Sequence, residues 1–236
     1  MEKVFKFSNK SIIFSVILVL VSLTISVSIG AAEISTDEII GIFLREILGY
    51  QSNTEINNIN KIIVLEWRLP RFCLGFLVGA SLAIAGCGFQ GVFKNPLADP
   101  FLLGSAAGAG LGVTLVIVND LNYSFGIINS VQLGAFIGAL GAVICAAFIS
   151  ISAGKSIASL LLAGIATAAF LTACQTYLMH KYYSSMQEIY SWIIGRLLTS
   201  GWEDVITILP YFTVCFITIF LFRKELDLLR LSEDEA

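Results

Sequence analysis

The chain has 236 residues, 57% of them hydrophobic and 13% charged, with a formal net charge of −3. A soluble domain is about half apolar and about a quarter charged, so these proportions exclude an ordinary soluble globular protein. No basic patch is interleaved with aromatics, which excludes a nucleic-acid binder. The apolar residues are gathered in runs of about 20, the length that crosses a ~30 Å hydrocarbon core, so the expected fold class is an all-α polytopic membrane protein.

Residues 1–11 carry Lys3, Lys6 and Lys10 against Glu2 and precede a first span over 12–30. A charged start, an apolar run and the small residues Gly30-Ala31-Ala32 also suit a signal peptide. The 19-residue run is longer than the apolar region of such peptides, about 7–15 residues, so a retained span is expected. Ser35 and Glu38 have capping-box spacing, and Ile39, Ile40, Phe43, Leu44, Ile47 and Leu48 recur on one helical face, with Gly49 as a stop. This predicts a short amphipathic helix on the outer interface, followed by a loop over 50–61.

The second span is predicted over 72–93, and an elbow over 94–100 leads into a third over 101–118. A polar turn at 119–122 precedes a fourth span over 126–151, and a turn at 152–156 precedes a fifth over 157–179. Residues 186–198 form a second outer amphipathic segment, with Ile189, Ile193, Ile194 and Leu197 apolar. A sixth span over 205–222 ends in a charged, helical tail from Arg223.

Six spans put both termini on one side. With the N-terminus inside, the inner segments hold eight basic residues, Lys3, Lys6, Lys10, Lys94, Lys155, Arg223, Lys224 and Arg230. The outer ones hold six, Arg45, Lys61, Arg68, Arg71, Lys181 and Arg196, spread over longer loops. Both short inner loops carry a lysine and the short outer turn carries no basic residue. Trp67, Trp192 and Trp202 fall near the outer boundary, as an aromatic belt would. Both termini are therefore expected in the cytoplasm.

Gly75 and Gly79, Gly104, Gly108 and Gly112, and Gly134 and Gly138 are spaced four apart within the spans. In lipid, helices associate by close backbone approach and interhelical hydrogen bonds, so small residues mark packed faces. The second, third and fourth spans are expected to form a compact bundle; glycines lining a wide path are the other possibility. Polar residues inside the spans are few, chiefly Gln90, Gln132, Thr167, Thr172 and Gln175, and no Asp, Glu, Lys or Arg sits mid-span. Ion-coupled transport and proton relays use ionisable groups at membrane depth, and intramembrane catalysis needs a nucleophile and base or metal ligands there. Neither can be assembled, so any active transport takes its energy from elsewhere.

Cys73, Cys87, Cys145, Cys174 and Cys215 all lie in apolar runs without C-x-x-C spacing and read as small hydrophobes. The one histidine, His180, stands at the end of a span beside Lys181, Tyr182 and Tyr183. Neither a metal site nor a bound cofactor is expected. Gly154-Lys155-Ser156 looks like the end of a phosphate-binding loop, but the required first glycine is Ile149. Asn95-Pro96-Leu97-Ala98 approaches the water-channel box, but Leu97 intervenes and no second copy occurs.

Arg68-Leu69-Pro70-Arg71, Gly79-Ala80, Leu82-Ala83, Gly86, Gln90, Asn95-Pro96-Leu97-Ala98-Asp99-Pro100, Leu103-Gly104 and Gly108-Ala109 then form an ordered set. It continues with Leu160-Leu161-Leu162-Ala163-Gly164, Trp192, Gly195 and Leu226-Asp227-Leu228-Leu229-Arg230-Leu231. In this set, over residues 12 to 236, the chain resembles the permeases of binding-protein-dependent ABC importers that serve iron–siderophores, haem and cobalamin, the FecCD or BtuC-like family.

The resemblance implies a ten-span permease subunit working as a homo- or heterodimer in a bacterial or archaeal cell membrane. Two cytoplasmic ATPase subunits would hydrolyse the ATP, and an extracytoplasmic substrate-binding protein would deliver the ligand. By matching position, Arg68 and Arg71 would lie at the outer surface and meet acidic residues of the binding protein. Bidentate arginine–carboxylate pairing suits such a rim; snorkelling anchors would look the same in sequence. Asn95, Pro96 and Leu97 of the elbow, with Ile157 and Ala158, would lie near the inner gate. Thr167, Thr172 and Gln175 would help line the path, and the tail would lead to the ATPase contact.

The predicted spans correspond to the first six of that ten-helix fold, so residues 1–236 are expected to be a single permease domain lacking its carboxyl-terminal part. A permease-like six-span protein without transport activity of its own is the alternative, as is a partial sequence.

Overall fold

The computed structural model describes residues 8–46, 49, 56–126, 128–195, 197 and 201–230. The expectations for Lys3, Lys6, Ile47, Leu48, Arg196 and the acidic end of the chain lie outside them. The described chain is mostly helical, its one pair of strands is a short antiparallel hairpin, and it divides into two compact units.

The first unit comprises residues 1–76 and 197–205. Helix α1 (Asn9–Ser28) begins on Ser8, whose side chain accepts from the Lys10 N–H. Helix α2 (Thr36–Glu46) starts with Ser35 Oγ accepting from the Glu38 N–H at 3.3 Å. The Glu38 carboxylate accepts from the Asn57 N–H and Asn60 Nδ2, both at 2.9 Å. It thereby ties α2 to α3 (Asn58–Ile62), which Asn57 caps. A Lys61–Glu46 ion pair at 2.7 Å joins the same two helices. Ile42, fully buried, with Ile39, Val27, Ile34 and Val64 forms the core of this unit. The face of α2 is thus centred on Ile42 rather than Ile40, which is half exposed.

The predicted loop over 50–61 ends earlier than expected. Its described part reaches only to Asn57, because Asn57 supplies a helix cap. From Asn58 the chain stays helical to Phe93, through α3, a π-helix (Ile63–Arg68) and α4 (Leu69–Phe93). The second span therefore begins before residue 72, and Arg68 and Arg71 stand on helix rather than on a loop.

The second unit comprises residues 77–196 and 206–236. A 3₁₀ turn (Pro100–Leu103) precedes helix α5 (Ser105–Val118), and a hairpin pairs β1 (Ser124–Phe125) with β2 (Ile128–Asn129). Helix α6 (Ser130–Ser152) opens with a full capping box between Asn129 and Gln132. Two starts are corrected by this. The third span begins at Ser105, because Asp99, Pro100 and Gly104 hold residues 100–104 out of the α-helix. The fourth begins at Ser130, which makes Gln132 a capping residue and not a mid-span polar group.

Helix α7 (Ile157–Lys181) is capped by Ser156, and α8 (Met186–Ile194) follows a short 3₁₀ turn (Tyr183–Ser185). On α8 only Ile189 is fully buried; Ile193 and Ile194 are exposed, as is Leu197 beyond the helix. Helix α9 (Trp202–Leu221) runs into α10 (Arg223–Arg230).

Five stretches are long and apolar enough to cross a membrane: 9–28, 58–93, 130–152, 157–181 and 202–221. The remaining expected span, the third, is α5, which has 14 residues, about 21 Å at 1.5 Å per residue.

Candidate functional site

The packed centre of the second unit is α5 between α6 and α7, and glycine makes it possible. A Cβ built on Gly108 or Gly112 would run into the carbonyls of Gly138 and Gly134, and one on Gly138 would meet Gly108 in return. The α5 and α6 backbones therefore touch directly, which is how small residues drive association in lipid. On the other side Gly164 of α7 lies against the Leu102 carbonyl and Leu103. Gly104 sits at φ 79°, and a Cβ there would stand 3.3 Å from the Ala168 nitrogen; left-handed backbone and crowding together favour glycine.

Gly75 and Gly79 behave differently. Nothing within 4 Å would meet a Cβ on either. The expected bundle of the second, third and fourth spans is instead α5, α6 and α7. Helix α4 joins it at its carboxyl-terminal end, where Phe93, Ala98 and Leu103 form a small core with Phe89, Val143, Leu160 and Leu161. Gly110 and Gly164 were not singled out by the four-residue glycine spacing. Gly164 has Ala168 four residues on, a small-residue pair that could have marked it.

Two polar side chains of α7 point into this centre. Thr167 is 5% exposed and Gln175 8%. Gln175 packs on Gly110, where a Cβ would stand 2.8 Å from its Oε1. Thr167 Oγ1 and Gln175 Nε2 are buried without a hydrogen-bond partner. Neighbouring Thr114 is satisfied by the Gly110 carbonyl at 2.8 Å. Thr172, the third residue expected along the path, is exposed on another face of α7.

The elbow is braced at each step. Lys94 turns the chain with φ 49°. Asn95 Oδ1 accepts from the Leu97 N–H at 2.9 Å, and the Asn95 carbonyl accepts from the Ala98 N–H at 3.1 Å. Asp99 Oδ1 accepts from the Phe101 N–H at 2.7 Å. These turns fix Leu97 in the open, 84% exposed, while Ala98 is buried beneath it. Asn95 and Pro96 are exposed, as are Ile157 and Ala158 at the start of α7. Leu160 and Leu161, three residues on, share the elbow's core, so both segments lie at one end of the unit.

In the first unit Arg68 is 6% exposed. Its guanidinium donates to the carbonyls of Val27, Ser28 and Ala32. A positive charge at the carboxyl end of α1 suits the helix dipole, and Gly30 leaves room for it: a Cβ there would stand 2.6 Å from Nη2. The expectation of two arginines facing out is corrected in this respect. Arg68 is turned inward because the last carbonyls of α1 need donors, whereas Arg71 is partly exposed. Among the described residues, no three His, Cys, Asp or Glu side chains gather to hold a metal ion.

A charge-free, glycine-packed helical core with a braced elbow at one end, and helices of membrane-spanning length, are those of a polytopic membrane protein. The model of the FecCD transport family matches residues 18–236, and the chain belongs to that family. It is 34% identical over 210 residues to the "Probable iron chelatin transport system permease protein" of Helicobacter pylori, covering 88% of this chain and 61% of that one. It is 34% identical over 227 residues to the Fe(3+)-citrate import system permease protein YfmE of Bacillus subtilis, covering 95% and 63%. A solved structure described as an inward-facing conformation of a metal-chelate type ABC transporter superposes with a TM-score of 0.77 at 25% identity, covering 97% of this chain and 67% of that one. The chain thus spans 61% and 63% of the length of these two curated relatives.

Proposed function

We propose that this chain is the membrane-embedded permease part of an ATP-driven, binding-protein-dependent importer of a metal chelate. An iron–siderophore or ferric citrate is the first choice of cargo, with haem and cobalamin in the same class. The observation that carries this reading is family membership along residues 18–236. The uncharged α5–α7 core supports it, since a conduit without intramembrane ionisable groups needs a separate motor. The chain would act as a dimer in a bacterial or archaeal cell membrane, both termini cytoplasmic. Two ATPase subunits would sit on the inner face and a binding protein on the outer.

In that assembly Arg71 would meet a carboxylate of the binding protein, and Arg68 would hold the surface on which it stands. Leu97 would project from its braced elbow as a steric stop at the inner gate, with Ile157 and Ala158 beside it. Apolar side chains close a path by size and by excluding water.

The test is to co-purify the chain with its ATPase and binding-protein partners, reconstitute them in proteoliposomes and measure ATP hydrolysis. Binding protein loaded with ferric citrate should stimulate turnover, and haemin and cobalamin are run in parallel. No stimulation by any of the three, in an assembled complex, would sink the proposal. Arg71→Glu should weaken binding-protein affinity by about tenfold or more, as charge reversal at a docking contact does; unchanged affinity removes Arg71 from that role.

A further inference from the structure

The π-helix over Ile63–Arg68 has an identifiable cause. A π-helix pairs an N–H with the carbonyl five residues back, and here the Leu69 N–H bonds the Val64 carbonyl. The next pair in that register would join residue 70 to Leu65. Residue 70 is proline, fully buried and without an N–H. The Leu65 carbonyl is not left bare: Trp202 Nε1 donates to it at 3.0 Å. Trp202 is the first residue of α9, where the Asp204 carboxylate accepts from the Gly201 N–H at 3.2 Å and steadies the turn.

From this geometry we infer that Trp202 is a positioning residue for Arg68, acting as the donor that Pro70 cannot be. The indole N–H completes the π-helix. The π-helix in turn sets the rotation of its last residue, Arg68, so that the guanidinium reaches Val27, Ser28 and Ala32 past Gly30. One π-turn more or less rotates the following residue by about 100° around the helix axis, enough to take Arg68 off α1. The start of α9 and the end of α1, distant in sequence, are thereby joined through one carbonyl. The single-sequence pattern hides this, since Trp202 reads as one more belt aromatic.

The test reads Arg68 itself in the purified full chain, without binding protein or ATPase, so its outcome is independent of the transport proposal. An arginine-selective dicarbonyl is applied, and modification is followed peptide by peptide with mass spectrometry; exposed Arg45 and Arg223 serve as references. Arg68 should be protected in the unaltered chain. Trp202→Phe keeps the ring and removes the donor, and should raise the Arg68 modification rate about fivefold or more, as an orphaned, part-buried carbonyl loosens its segment. Pro70→Ala restores a backbone N–H at residue 70 and should leave Arg68 protected. Adding Trp202→Phe to Pro70→Ala should then change little. Unchanged protection in Trp202→Phe overturns the inference, and so does a double variant as reactive as Trp202→Phe alone. Should Trp202→Phe fail to accumulate, recovery of the folded chain by Pro70→Ala supports the inference and lack of recovery refutes it.

Discussion

Gly108 and Gly79 share an alphabet and a spacing motif but not an environment. Gly108 has the Gly138 carbonyl where its Cβ would be, and Gly79 has nothing within 4 Å. Gly108→Ala should destabilise the chain by about 1–3 kcal/mol through overpacking. Gly79→Ala should be neutral or stabilising by up to about 1 kcal/mol, since a mid-helix alanine with open space loses less conformational entropy than glycine. Thermal unfolding in one detergent checks both, and equal losses would contradict the packing described. Thr167 makes the opposite case. Its buried hydroxyl lacks a partner, so the near-isosteric Thr167→Val should be neutral or stabilising by up to about 1 kcal/mol. If Thr167 also lines the transport path, the same variant will alter cargo-stimulated ATP hydrolysis while leaving stability intact, which separates a packing role from a functional one.

The elbow between α4 and α5 is stiff because side chains, not a helix, satisfy its backbone. Asp99→Ala removes the acceptor for the Phe101 N–H and should cost about 0.5–2 kcal/mol, the range for a lost cap. Asn95→Ala frees the Leu97 N–H and should raise amide hydrogen exchange at Leu97 and Ala98 without shifting the unfolding midpoint by more than a degree or two. Elements of this kind explain which parts of the fold were legible beforehand. The apolar runs around α1, α4, α6, α7 and α9 were readable because a period-independent excess of hydrophobes is a strong signal. The starts of α5 and α6 were not, because local capping by Asp99, Gly104 and Asn129 overrode hydropathy. Arg68 was legible as a special residue and not as a buried one. The sequence pattern does not reveal that the carboxyl end of α1, some forty residues earlier, offers it two carbonyls and the segment after it a third.

For the molecule as a whole, the distribution of turns sets the proposed orientation. Lys94 and Lys155 stand on exposed turns next to the elbow and before α7, and Asp120 stands on the turn after α5. In a background with the five native cysteines replaced, a membrane-impermeant thiol reagent applied to intact cells should label Asp120→Cys. It should spare Lys94→Cys and Lys155→Cys until the membrane is opened. The reverse pattern would invert the topology and move Arg71 away from any external binding protein. The family's resemblance in sequence was legible through the Arg68–Arg71 and Asn95–Pro100 motifs, because each marks a break in an otherwise uniform apolar pattern. The α5–α6–α7 core was only half legible, since glycine spacing shows that a helix has a packed face without showing against which neighbour.

The brevity of α5 has a consequence for biogenesis. A 14-residue helix falls short of the ~20 residues that a lone segment uses to cross the bilayer, and the 3₁₀ backbone before it needs shelter from lipid. That shelter is α6 and α7, both synthesised later. Helix α5 is therefore expected to wait at the insertion machinery and partition with α6 as one hairpin. In nascent chains arrested so that α5 but not α6 has emerged, a single cysteine placed in α5 should react with an aqueous thiol reagent, and in chains arrested after α7 it should not.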